Sequence, residues 1–195
     1  KPIDVNAPFR TPTGTRFTSV KVFDLNQTSL GIPKKNFREE DHLAIIALMA
    51  RRAGFEVEEH EFKPTFKQYI YFDKSCRKYW LKEGVGTDVQ AMLLAKELIL
   101  KKIGFENKKL KEQGKQEINE NTANCIAMTA AYIVETWLGG DIKKLPTPAK
   151  QGLCHGEGFY KNLSMAHSLA KRFIKSLSQL INESRRNTQP KLQMR

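Results

Sequence analysis

Three sets of residues in this chain carry side chains of the kind that does chemistry. Cys154-His155-Gly156-Glu157-Gly158 offers a nucleophile, a base and an orienting carboxylate, with glycines that let a backbone approach a ligand. Neighbouring Cys and His side chains do not meet in a productive geometry, so a thiol dyad would need His42, His60 or His167 from elsewhere. No Cys-x2-Cys or His-x3-His spacing occurs, so the common zinc patterns are missing. Also missing are a Gly-rich phosphate cradle with its lysine and a Gly-x-Ser-x-Gly elbow. The second set is acidic: Asp24 ends the β-branched run Thr18–Asp24, and Glu58, Glu59 or Glu61 on a later strand would be its partners. Two or three carboxylates converging on Mg2+ or Mn2+ activate water for phosphodiester cleavage, and strand ends hold them rigidly. The plainer role for Asp24 is to cap a turn. The third set is cationic, and it is by far the largest.

The acidic set carries two resemblances. Asp24-Leu25-Asn26-Gln27-Thr28-Ser29-Leu30-Gly31 is similar to the opening of RuvC-like and other RNase H-like nucleases, where a strand-terminal Asp precedes a Thr/Ser-rich turn and a Gly. Gly84-Val85-Gly86-Thr87-Asp88-Val89-Gln90 resembles a loop-to-helix passage of the same proteins. Asn121 and Asn124 stand where that family carries aspartates on a late helix, and neutral ligands balance a metal's charge poorly. The hairpin that should follow the first strand is replaced by Pro33 and a helix. Asp24-Leu25-Asn26 and Thr87-Asp88-Val89 also resemble two acidic motifs of PIN-like nucleases of the NYN type, whose Gly-Asp-x-Asp strand has no counterpart here. Both resemblances imply Asp24 and Asp88 as the catalytic carboxylates of a Mg2+- or Mn2+-dependent nuclease.

The formal net charge is +12 over 195 residues. It is unevenly spread: residues 1–37 hold six cations against two carboxylates, and residues 160–195 hold eight against Glu183 alone. The long middle is close to neutral. Clustered cations gain counterion-release energy from a polyanion that scattered ones do not. Arg10, Arg16, Lys34 and Lys35 near one end, with Lys171, Arg172, Lys175, Arg185 and Arg186 near the other, are therefore the candidate phosphate contacts. Tyr69, Tyr71, Tyr79 and Trp80, near Lys67, Arg77 and Lys78, would stack on bases if their strand were exposed. The simpler arrangement, which is favoured, has alternate aromatics facing the core.

The elements that must position these residues read as follows. Residues 1–16 are rich in Pro, Thr and Gly and read as an extended basic arm. A strand is expected at Thr18–Asp24. A buried helix follows, with Asn36 and Glu39 as a capping box, Arg51 and Arg52 in its last turn and Gly54 beyond its end. Phe55–Phe62 and Lys67–Asp73 read as a hairpin turning through Pro64. A second helix is expected from Thr87, with Gln90 as capping partner, to Ile103, and Gly104 repeats the ending seen at Gly54. Residues 106–120 read as a solvated loop or short helix, and Asn121–Leu138 as a small-residue helix closed by Gly139-Gly140. Asp141–Gly158 is a long loop of the functional kind. The last helix, Asn162–Arg186, bears an apolar stripe with its cations mainly off it.

These elements predict an α+β fold: a small mixed sheet of about three strands, four to five helices and a long basic C-terminal helix. The domain would span residues 17–186, between the arm and a disordered polar tail, 187–195. No apolar run is long enough for a transmembrane helix, so membrane insertion is not expected. The first residues lack the apolar stretch of a signal peptide, and without a starting Met the chain reads as an excised domain. Cys76, Cys125 and Cys154, odd in number and widely spaced, suit buried positions in a reducing, intracellular compartment. The expected function is DNA or RNA binding without catalysis, as an accessory domain of a larger protein or complex. Alternatives are the nuclease and a protein-interaction domain. No cofactor is expected unless the nuclease alternative holds.

Overall fold

A computed structural model describes residues 3–11, 14–22, 39–63, 68–140 and 159–188, with side chains described for 41–63, 68–140 and 160–183. The chain divides into two compact units, Lys1–Pro33 and Lys34–Arg195. The first contains an antiparallel ribbon in which β1 (Ile3–Thr11) pairs with β2 (Gly14–Val22), from Ile3 opposite Val22 to Thr11 opposite Gly14. The residues read as an extended arm are thus paired, and the strand expected at Thr18–Asp24 lies two to four residues earlier and belongs with them. Asp24, Lys34, Lys35 and Asn36 lie outside the described residues.

The second unit is α+β, as expected, with a three-stranded mixed sheet and four helices among the described residues. Its order is α1 (Glu39–Arg52), β3 (Glu56–His60), β4 (Ile70–Asp73), β5 (Lys78–Lys82), α2 (Thr87–Glu112), α3 (Glu120–Leu138) and α4 (Phe159–Thr188). His42, Ile46, Ala47 and Ala50 place the buried face of α1 at helical spacing. Beyond its last turn Gly54 takes φ +78°; its N–H reaches Arg51 O and that of Phe55 reaches Ala50 O, the Schellman closure.

The expected hairpin is corrected in one respect. β5 lies between the other two strands, so the order is β3-β5-β4, antiparallel to β4 and parallel to β3. β4 and β5 form the hairpin. Asp73 stabilises their turn by accepting from Ser75 N at 2.9 Å and Ser75 Oγ at 2.6 Å, which holds its carboxyl below the usual carboxylate range. Lys78–Lys82 alternates strictly: Tyr79 and Leu81 are buried against the helices, while Lys78, Trp80 and Lys82 take the other face.

Helix α2 is longer than expected. It runs through Gly104 to Glu112, and the Schellman closure falls at Gly114 (φ +65°), with Gly114 N–H to Lys111 O and Lys115 N–H to Leu110 O. Gln90 is not the capping partner of Thr87. It is buried, and its Nε2 donates to Glu59 Oε1 and Lys82 O, both at 2.9 Å, tying the helix to the sheet. Asn107 holds the turn into α3 by exchanging two hydrogen bonds with the backbone of Ile118.

Helix α3 is the centre of the unit, packed between α2 and α4. Its alanines 123, 127, 130 and 131 are buried and permit that close approach. Helix α1 packs on α2 and also meets α4 and β3. His42 of α1 and Glu135 of α3 are both buried, with Nδ1 hydrogen-bonded to Oε1 at 2.5 Å. The closing Gly140 makes room for this pair: a Cβ there would stand 2.8 Å from Glu135 Cγ. On α4 the expected stripe is confirmed at Ala166, Leu169, Ala170, Phe173, Ile174, Leu177 and Leu180, all buried. Residues 141–158, expected as a long loop and holding Cys154 and His155, lie outside the described residues, as do those beyond Thr188.

Candidate nucleic-acid interface

The buried stripe of α4 fixes what its other face presents. Lys171, Arg172 and Lys175 are exposed, one helical turn apart along the side away from α3. Arg185 and Arg186 continue the same helix. Glu183, the one carboxylate in this stretch of sequence, is occupied by Arg52 of α1 at 2.6 Å. Arg10 and Arg16 lie in β1 and β2, opposite Thr15 and Phe9.

A second cationic stretch stands beside the first, and it was hidden in the neutral middle of the sequence. From Lys101 to Lys115 there are six lysines against Glu106 and Glu112. Read as a loop, this stretch has no face. As the last three turns of α2 it has one, because Lys102, Glu106 and Lys109 recur at helical spacing. Arg172 Nη1 lies 3.2 Å from Glu106 Oε1, which sets this stripe against the Lys171–Lys175 turn of α4. Lys102, Lys108, Lys109 and Lys111 are exposed. The signal available in the sequence was the seven-residue repeat of lysine pairs, 101/102 and 108/109, which is two helical turns.

Tyr69 and Tyr71 do not face the core. They are 40% and 46% exposed, against 0% for Tyr79 on the opposite face. Tyr71 pairs across the strands with Trp80, whose ring lies 5.2 Å from that of His60. Lys78 Nζ stands 4.8 Å over the Trp80 ring and Lys82 Nζ 5.8 Å from that of Tyr69. Lys78 also bonds Glu58 at 2.9 Å and Glu56 at 3.0 Å, which raises its pKa and leaves the Glu56 end of the sheet without surplus positive charge.

The acidic candidates are scattered among structural tasks. Glu58 faces Lys78, Glu59 accepts from Gln90, and Asp88 accepts from Val89 N–H at 2.8 Å in the first turn of α2. Among the described residues no three His, Cys, Asp or Glu side chains stand where they could hold a metal ion together. No helix among those residues is long and apolar enough to cross a membrane. No protein-family model matches the chain, and no curated protein and no solved structure matches it.

Proposed function

We propose that the chain binds nucleic acid by its phosphates, through the paired cationic faces of α2 and α4, with Arg10 and Arg16 of the N-terminal ribbon as further contacts. The observation that carries this reading is the Arg172–Glu106 contact. It sets two lysine-bearing helix faces side by side, each already anchored to the core by its own apolar stripe. Two adjacent rows of cations on rigid elements suit a phosphate backbone, which is a regular line of charge.

Fluorescence anisotropy with a labelled oligonucleotide at two salt concentrations tests it. Wild-type protein binds with an affinity that falls steeply as salt rises. Lys102→Glu with Lys109→Glu, and separately Lys171→Glu with Lys175→Glu, weaken binding whatever the sequence of the oligonucleotide. Affinity unchanged by both pairs would refute the assignment. Adding Mg2+ or Mn2+ to the same mixtures, beside Asp24→Asn, distinguishes a binding protein from the nuclease that the Asp24 and Asp88 resemblances imply.

A further inference from the structure

Phosphate contacts do not tell paired from unpaired strands, whereas aromatic side chains on an open surface stack only on bases that are free to leave a helix. The outer face of the sheet carries such a surface. His60, Phe62, Tyr71 and Trp80 line an open cleft of about 280 Å³ there. They follow one another across all three strands: Phe62 lies 5.8 Å from His60, His60 5.2 Å from Trp80, and Trp80 is the cross-strand partner of Tyr71. The core needs none of these rings, since Tyr79, Leu81 and Phe72 supply the sheet's inner contacts to the helices. Resting on the nucleic-acid reading above, we infer that this cleft takes an unpaired base, so that the protein prefers single-stranded DNA or RNA to duplex.

Charge decides how a strand lies on the face. At one end Glu56 is the register partner of Lys78, and Glu58, level with Trp80, bonds the same lysine, so that two carboxylates against one cation repel phosphate there. At the other end Lys82 is the register partner of His60, and exposed Lys63 follows Phe62. A base in the cleft therefore has its phosphates at the Lys82 end. His60, level with Lys82, and the Tyr71–Trp80 pair, one register step along, form the walls of that path, and Lys82 meets the backbone.

The experiment compares a labelled single strand with the same sequence as a duplex. Tyr71→Ala and Trp80→Ala weaken single-strand binding about tenfold and leave duplex binding unchanged. Tyr71→Phe retains the affinity, because the ring and not its hydroxyl makes the contact. Adding the single strand quenches indole fluorescence in the wild type and not in Trp80→Phe, which keeps a stacking ring but lacks the reporter. Circular dichroism verifies that each variant is folded. Equal losses on both substrates, or no loss on the single strand, would overturn the inference while the phosphate reading stands. A dimer that Tyr71→Ala dissociates would overturn it too, by showing that a second copy covers this face. Wild-type protein that binds neither substrate would fail the phosphate reading itself.

Discussion

His42 and Glu135 are ninety-three positions apart and share one buried hydrogen bond. Removing one member deletes this buried hydrogen bond, which costs about 1–3 kcal/mol. Glu135→Ala should therefore lower the urea midpoint sharply. Gly140→Ala should do so more mildly, because its new methyl group displaces the carboxylate without deleting it. Lys101 gives a second test, with a sign. Burial, with Nζ 3.5 Å from the Phe72 ring centroid, holds it below the usual 10.5, and neighbouring Lys74 adds to the effect against Glu97. The unfolded chain then keeps this proton to higher pH than the folded one. Stability rises as pH climbs from the folded value towards 10.5, and Lys101→Met removes that rise. Buried Tyr79 works in the opposite direction: its pKa is raised, so its contribution is lost above its ordinary value of 10.0. The difference in Tm between Lys101→Met and wild type across the alkaline range isolates the lysine. At this scale the sequence was informative about type and poor about partners. Alternation set Tyr69 and Tyr71 on one face of their strand, and that face was read as the inner one; the structure turns it outward, because alternation cannot say which side of a strand is inside. Helix α2 decides that by packing on β4 and β5 from the Tyr79 side.

Helix endings show a similar division. Closure by glycine was legible in kind: Gly54, Gly114 and Gly139 all take positive φ at the ends of their helices. The second was assigned to Gly104, because Lys101-Lys102-Ile103-Gly104-Phe105 repeats the pattern around Gly54. Leu110 continues the apolar face beyond that glycine, and packing overrides the local stop signal. Gly104→Ala gives a direct test. Its Cβ would meet nothing within 4 Å, and the position is inside a helix, so the change should stabilise by about 1 kcal/mol in thermal or urea unfolding. A true helix-ending glycine with positive φ would lose stability instead. β5 was missed for a different reason. Four turn residues, Lys74 to Arg77, separate it from β4, and Arg77 takes φ +53° there without being glycine. Propensity alone did not mark that turn, whereas the Asp73 side chain that holds it is visible only once the backbone is placed.

Over the whole molecule the charge division was legible as far as net values go, and net values conceal Lys101–Lys115 among the acidic residues of the middle. The α+β class and the long last helix followed from periodicity; the order of the strands did not, since pairing between distant segments leaves no local trace. The charge argument predicts a specific slope. With Lys171→Glu and Lys175→Glu combined, the dependence of log affinity on log salt should flatten by about two phosphate equivalents, measured by anisotropy titrations over a salt series. The order β3-β5-β4 has one more consequence, in the time domain. The β4–β5 hairpin closes through a tight turn, whereas β3 pairs in parallel with a strand that the chain reaches only after building β4. Loop-closure entropy puts the hairpin first and β3 last. Truncating Val57 in β3 should then accelerate unfolding with little change in the refolding rate, while truncating Ile70 in β4 should slow refolding. Stopped-flow chevrons would reverse that order of assembly if Val57 proved to be the residue that sets the refolding rate.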